Sequence, residues 1–127
     1  MEFSEKRLID VVIAAPVGRI DHASAEIFKQ KLEPLLAQCN EGSDRVVLDF
    51  SGVEYISSVG LRVLMLAAKQ VKLQKGTIVI AGMQPVVKEI FDISRFNYVF
   101  AAFPVLRDAV ADLSTQAVAL QIGRAHV

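Results

Sequence analysis

Two adjacent serines, Ser57 and Ser58, stand in the stretch YISSVGL (residues 55–61), where a strand-like apolar run gives way to a helical pattern. A serine at such a junction can cap the helix, because its oxygen accepts a hydrogen bond from a first-turn N–H that has no partner within the helix. The same position suits a phosphate, which those N–H groups and the helix dipole stabilise. The two serines therefore have two candidate roles, as a helix cap and as a phosphorylation site. We expect Ser58 both to cap the helix and to be the first candidate acceptor of a phosphate, with Ser57 as the alternative acceptor.

The helix predicted after these serines, over residues 58–73, has apolar side chains on two sides. The side that should face a sheet carries Leu61, Leu64, Met65, Ala68 and Val71. The other side mixes aliphatic and basic residues, namely Val59, Arg62, Val63, Leu66, Lys69, Gln70 and Leu73. Such mixed surfaces are common at protein interfaces, although another helix of the same domain could cover the aliphatic side chains instead. The candidate partner-binding residues are Val59, Arg62, Val63 and Leu66.

Three further residues are candidates for the surroundings of these serines. Asp21, in the stretch GRID, precedes a predicted helix and could cap it, as could Ser24. Asp49 ends the strand-like run VVLDF, where it could either lie near the serines or hydrogen-bond its own turn. Gly60 follows the serines closely, and its missing side chain lets another backbone or a kinase come near.

Predicted strands and helices alternate along the chain and must position these residues. Apolar, β-branched runs predict strands at residues 8–17, 45–50 and 77–81, with weaker signals at 1–6 and 98–100. Amphipathic patterns predict helices that begin near Ser24, Ser58 and Pro85, and a last helix at 105–113. For the Pro85 helix, the predicted inner side chains are Val86, Val87, Ile90 and Phe91. The alternation is typical of an α/β domain with a central mixed sheet of four to five strands and about four α-helices. We expect residues 1–113 to form this single domain and residues 114–127 to be a C-terminal tail, flexible or partly non-native.

The composition argues against several classes of function. Fourteen basic and fourteen acidic side chains cancel, which removes the electrostatic argument for binding nucleic acid or an anionic membrane. No apolar run is long enough to span a bilayer and no signal peptide is evident, so we expect a cytoplasmic protein without membrane insertion. A single cysteine, Cys39, and two histidines form no metal-ligand pattern, and we find neither a serine–histidine–acid set nor a glycine-rich phosphate loop. We therefore expect no catalytic residues, no metal and no cofactor.

Three stretches of the sequence resemble a known family. GRIDHASAEIF, VVLDFSGVEYISSVGLRVLMLAAK and IVIAGMQPVVKEIFDISRFNYVF, followed by the terminal helix, are similar to the STAS domain, the sulfate-transporter and anti-sigma-antagonist module. The resemblance covers residues 1 to about 113 in order and without large gaps, and it is strongest to the free-standing bacterial anti-sigma factor antagonists.

The resemblance implies a function and a modification site. In such antagonists an Asp-Ser-(Ser/Thr/Ala)-Gly motif carries the serine that an anti-sigma factor, itself a serine kinase, phosphorylates. The unmodified antagonist binds the kinase and frees the sigma factor, and so regulates transcription by partner switching. Ser58 falls on the phosphorylated serine, Gly60 on the glycine and Asp21 on an aspartate beside the site. This chain departs from the motif in having Ser57 at the aspartate position and Val59 at the small residue.

The resemblance leaves a second function open. Some STAS proteins are similar to regulatory subunits that dock on membrane transporters, such as lipid-transport ATPase complexes. The first reading implies an anti-sigma factor serine kinase as the partner, a serine phosphatase as a further candidate, and a monomer or weak dimer. The second reading implies a permease or an ATPase as the partner.

Overall fold

Six strands and four α-helices alternate along residues 1–113, the part of the chain that the structure, a computed structural model, describes. The strands are β1 (Glu2–Leu8), β2 (Val11–Ile20), β3 (Arg45–Asp49), β4 (Val53–Ile56), β5 (Ile78–Ala81) and β6 (Ala101–Phe103). The helices are α1 (Ala25–Ala37), α2 (Ser58–Leu73), α3 (Pro85–Ile93) and α4 (Leu106–Leu113), and a 3₁₀ turn at Phe96–Tyr98 precedes β6.

The strands form one mixed sheet in the order β1-β2-β3-β5-β6. β1 is antiparallel to β2, and the pairs β2–β3, β3–β5 and β5–β6 are parallel. The sixth strand, β4, pairs in parallel with the last residues of β2, beyond an irregularity between Gly18 and Arg19. Gly18 has a φ of 104°, a value that glycine adopts without strain. The predicted α/β fold with a mixed sheet and four helices is confirmed. Five strands follow one another in the sheet, and β4 pairs beside the last residues of β2.

The side chains of the sheet contribute to two apolar clusters, because neighbouring residues of a strand point to opposite faces. The larger cluster joins Ala14 and Leu48 to α1, α2 and α3. The smaller cluster joins Ile13 and Val47 to α4. The sheet is thus covered by three helices on one face and by one helix on the other, and α2 packs against both β4 and α1.

Some predicted boundaries are wrong. Leu8 belongs to β1 rather than to the second strand, because the chain reverses at Ile9, which has a φ of 60°. The strand predicted at 98–100 lies at Ala101–Phe103 instead, where the backbone pairs with β5.

Two predictions of inner side chains also need correction. Val86 is 53% exposed rather than inside, since only Val87 and Phe91 of α3 are buried. In α2, Leu61, Leu64 and Val71 are buried as predicted, whereas Met65 and Ala68 are half-buried and Ala67 is buried in their place. The buried side of α2 therefore lies slightly closer to α1 than predicted. The helical period alone does not reveal that α1 packs there.

The tail predicted at residues 114–127 lies outside the described residues. Across residues 1–113, no helix has the length and apolarity that crossing a membrane would require.

Candidate functional site

The N-terminus of α2 is positioned by the pairing of β4 with β2. In this parallel register Arg19 lies opposite Tyr55 and Ile20 opposite Ile56. The ladder continues one step further, since the Ser57 N–H donates to the Ile20 carbonyl at 2.8 Å. The serines before α2 and the loop that follows β2 therefore meet at one corner of the domain.

Ser57 is the residue that caps α2. Its backbone is extended (φ −87°, ψ 173°), and its Oγ accepts a hydrogen bond from the Gly60 N–H at 3.3 Å. Ser58 is already the first helical residue, and its side chain is exposed. The prediction that Ser58 caps the helix is wrong, because a cap needs a non-helical backbone to turn its oxygen toward the first-turn amides. The Ser58 hydroxyl is consequently not occupied by the cap.

Gly60 allows α2 to approach β2 and β4 closely. A Cβ at this position would lie 2.8 Å from Ile20 Cγ2 and Ile56 Cγ1, and 3.0 Å from the Ile20 carbonyl oxygen. The two carbon distances are shorter than real Cβ contacts, so a side chain here would force α2 or the two isoleucines to shift. The backbone whose close approach we predicted is the domain's own, that of Ile20.

Asp21 organises the loop between β2 and α1. Its Oδ1 accepts hydrogen bonds from the Ala23 N–H at 3.1 Å and the Ser24 N–H at 3.2 Å, and the Ser24 hydroxyl donates to the Arg19 carbonyl at 2.7 Å. Partial burial acts to raise the pKa of Asp21, but the hydrogen bonds from Ser24 and Ala23 and the charge of Arg19 hold this pKa below its ordinary value of 3.8. The carboxylate therefore stabilises the loop above that ordinary pKa, and this contribution is lost as the pH falls through the lowered value. The side chain of Ser24 makes no capping hydrogen bond to α1, and Asp21 instead binds the two amides that directly precede the helix.

Arg19 is a member of this corner that the sequence analysis missed. Its guanidinium carbon lies 4.4 Å from the centre of the Tyr55 ring, and its Nε lies 3.6 Å from Asp21 Oδ2. The only signal for this contact is that GRID and EYIS end two strands, and their parallel pairing with its register could not be derived from one sequence.

Asp49 does not join the two serines. Its Oδ1 accepts a hydrogen bond from the Ser51 N–H at 3.1 Å, and it lies beside Gly82. The reason is the pairing of β3 with β2, which involves Val11 to Ala14, whereas β4 pairs further along β2. The contacts agree with the second reading of Asp49, that of a partner in its own turn.

The outer side of α2 is partly covered by α1. Val63 is half-buried against the core, while Val59 is 37% exposed, Leu66 is 48% exposed and Arg62 is exposed. A shallow groove of about 60 Å³ lies between the two helices, lined by Lys29, Leu32, Glu33, Leu36, Val63, Leu66, Ala67 and Gln70. Val63 thus lies in the contact between α1 and α2, whereas Val59, Arg62 and Leu66 remain exposed.

The model of the STAS domain family matches residues 4–109, which is most of the chain. The chain belongs to the STAS domain family. No three metal-ligating side chains come together in the described part of this STAS domain.

Known proteins resemble this STAS domain in sequence and in fold. The candidate anti-sigma factor antagonist BtrV of Bordetella bronchiseptica is 38% identical over 100 residues, which are 79% of this chain and 84% of BtrV. A crystal structure from Thermotoga maritima, described as that of a candidate anti-sigma factor antagonist, superposes with a TM-score of 0.78 at 22% identity, covering 87% of this chain and 92% of that one. The Bacillus cell fate determinant SpoIIAA in its phosphorylated form superposes with a TM-score of 0.66 at 15% identity, covering 89% of this chain and all of SpoIIAA. At these identities the two structures support the fold alone.

The STAS domain thus brings together some of the predicted site residues. Asp21, Ser57, Ser58 and Gly60 lie at one corner, and Val59, Arg62 and Leu66 extend from it along α2. Asp49 belongs to a different turn, and Val63 is half-buried between the helices.

Proposed function

We propose that this protein is an anti-sigma factor antagonist that binds a serine kinase-type anti-sigma factor when unmodified and releases it when Ser58 is phosphorylated. The observation that carries the proposal is that the two serines have different positions, since one caps α2 and the other is exposed at the start of the helix. Ser57 caps α2, so the exposed hydroxyl of Ser58 is available to a kinase without loss of the cap. The output would be transcription, regulated by partner switching.

The relatives support this function over the transporter reading. BtrV, at 38% identity over most of both chains, is described as a candidate anti-sigma factor antagonist. A protein of the same fold, SpoIIAA, has a structure in a phosphorylated form. We therefore do not extend the proposal to lipid transport.

The chemistry of the switch follows from the position of Ser58. The kinase would transfer the γ-phosphoryl group of ATP to Ser58 Oγ, with release of ADP and loss of the hydroxyl proton to a base of the kinase. The phosphate adds about −1.5 to −2 charges beside the open side of α2. The positive end of the helix dipole tolerates this charge locally, whereas a partner packed over Val59 and Leu66 would bury it at a cost of several kcal/mol. A serine phosphatase would restore the binding-competent form.

Incubation with ATP and the purified kinase-type anti-sigma factor of the same organism tests the proposal. We expect intact-mass spectrometry to find one added phosphate and peptide mapping to locate it on Ser58. Ser58→Ala should abolish the addition and Ser57→Ala should keep it. Phosphate on Ser57 alone would move the switch by one residue, and no phosphate on either serine would contradict the proposal.

The docking surface, defined as Val59, Arg62 and Leu66 with the loop around Asp21, gives a second test. Arg62→Glu and Leu66→Asp should each weaken binding of the kinase by roughly 1 to 3 kcal/mol, as expected for interface hot spots. Isothermal titration calorimetry measures the affinities, and circular dichroism verifies the fold.

Leu73→Asp is the matched control for these variants. Leu73 is 86% exposed and ends α2 far from the serines. The Leu73→Asp variant should therefore bind the kinase with the affinity of the unsubstituted protein. Unchanged affinity in both Arg62→Glu and Leu66→Asp would assign docking to another face.

A further inference from the structure

We propose that Arg62 binds the phosphate on Ser58, forming a phosphoserine–arginine pair across one turn of α2. This inference rests on the proposed function for the phosphate itself, and it adds a residue that the family motif does not contain. In the resemblance, only the Asp-Ser-(Ser/Thr/Ala)-Gly segment was assigned, and Arg62 lies beyond it.

The spacing of the two residues brings their side chains together. Ser58 and Arg62 are four residues apart in a continuous α-helix, so their Cβ atoms are about 5 to 6 Å apart on the same side. Side chains in an α-helix lean toward its N-terminus, which directs the Arg62 side chain toward the turn that contains Ser58. Both side chains are exposed, because α2 packs through Leu61 and Leu64 on the opposite side. A phosphate on Ser58 Oγ would therefore be within easy reach of the guanidinium.

Arg62 is free to make this contact. Within residues 1–113, Arg7 pairs with Asp44, Arg19 with Asp21 and Arg45 with Asp10, whereas Arg62 has neither a salt bridge nor a hydrogen bond from its side chain. The first turn of α2 also contains no acidic residue that could compete for it. An arginine is the side chain best suited to a phosphate, since its planar N–H groups bind two oxygens at once.

Other charged groups near this corner are paired, or lie on the neighbouring loop or on β4. Asp21 is engaged by the amides of its loop and by Arg19, and Arg19 is stacked on Tyr55. His22 is exposed on the same loop, and Glu54 is exposed on β4. Arg62 is the cation that shares a helix side with Ser58 at the i, i+4 spacing, and the proposal therefore assigns the contact to it.

The pair gives the switch a second component. In the unmodified protein Arg62 belongs to the docking surface and is available to the kinase. After phosphorylation the same guanidinium is held by the phosphate, so one modification both adds negative charge and removes a positive side chain from the surface.

The test uses protein in which phosphoserine is installed at position 58 during translation, so that no kinase is needed. The second ionisation of the phosphate is followed by ³¹P NMR in a pH titration. A nearby cation favours the dianion. We therefore expect the pKa of the phosphate to be about 0.3 unit lower in the phosphoprotein that keeps Arg62 than in the Arg62→Gln variant. Arg62→Lys should recover part of the shift, and the difference should shrink in 1 M salt.

Lys69→Gln is the matched control, since it removes a positive charge from the same helix about 16 Å from Ser58. It should leave the pKa of the phosphate unchanged. Equal pKa values in the Arg62 and Arg62→Gln proteins would overturn the pair. Failure of the kinase assay with a retained shift would instead contradict the proposed function and leave the pair standing, so the two failures are distinguishable.

Discussion

Ser58→Asp should weaken binding of the kinase-type anti-sigma factor by about 3 kcal/mol, on the order of 100-fold, while the domain remains folded. The reason is that a carboxylate at the first residue of α2 stands beside Val59, at one end of the docking surface, where a docked partner would exclude water. An acid in the first turn is favourable for the helix itself, so thermal stability should not fall. Calorimetric titration gives the affinity and thermal unfolding gives the stability.

Ser57→Ala is the complementary control for this prediction. It removes the hydroxyl that accepts from the Gly60 N–H, and should lower the free energy of unfolding by about 0.5 to 2 kcal/mol without loss of binding. Substitution of Ser57 should thus change stability alone, and substitution of Ser58 should change binding alone. Normal binding by Ser58→Asp would mean that charge at this position does not control docking.

Phe50→Ala should have the largest effect on stability, a loss of about 3 to 5 kcal/mol in the free energy of unfolding. Phe50 follows β3 and is fully buried, and its ring packs edge-to-face against Phe28 of α1 and Phe91 of α3, with centroid separations of 6.4 Å in both cases. The Phe91 ring in turn contacts Phe96 at 5.5 Å. Removing the Phe50 ring leaves a cavity at the junction of two helices and also deletes two aromatic contacts.

Urea denaturation measures this loss, with Tyr98→Ala as the control. Tyr98 is also aromatic but 83% exposed, so its removal should change the free energy of unfolding by less than about 0.5 kcal/mol. Phe50→Leu should be milder than Phe50→Ala, because it fills part of the cavity. A loss below about 1 kcal/mol in Phe50→Ala would mean that the aromatic cluster does not hold α1 and α3 to the sheet.

The elements with a strong local pattern could be predicted from the sequence. The bounds of α2 at residues 58 and 73 agree with the prediction, because the amphipathic pattern continues over all 16 residues of the helix. The strand–helix alternation similarly predicted the mixed α/β sheet. The short segment at Ala101–Phe103 was misplaced, since three residues carry little periodicity and their strand exists through pairing with β5.

In the candidate site, too, some features are local to the sequence and others depend on the tertiary structure. The sequence by itself determined that two serines precede a helix with a mixed outer side, because residue type and helical period are local properties. Only the tertiary structure decided that Ser57 is the cap, that Gly60 is required by the approach of Ile20, that Asp49 stays in its own turn, and that Arg19 stacks on Tyr55. Each of these depends on β4 pairing with the end of β2 while β3 pairs with its beginning. The register between strands more than thirty residues apart is set by the packing of the whole sheet, and no local pattern in the chain specifies it.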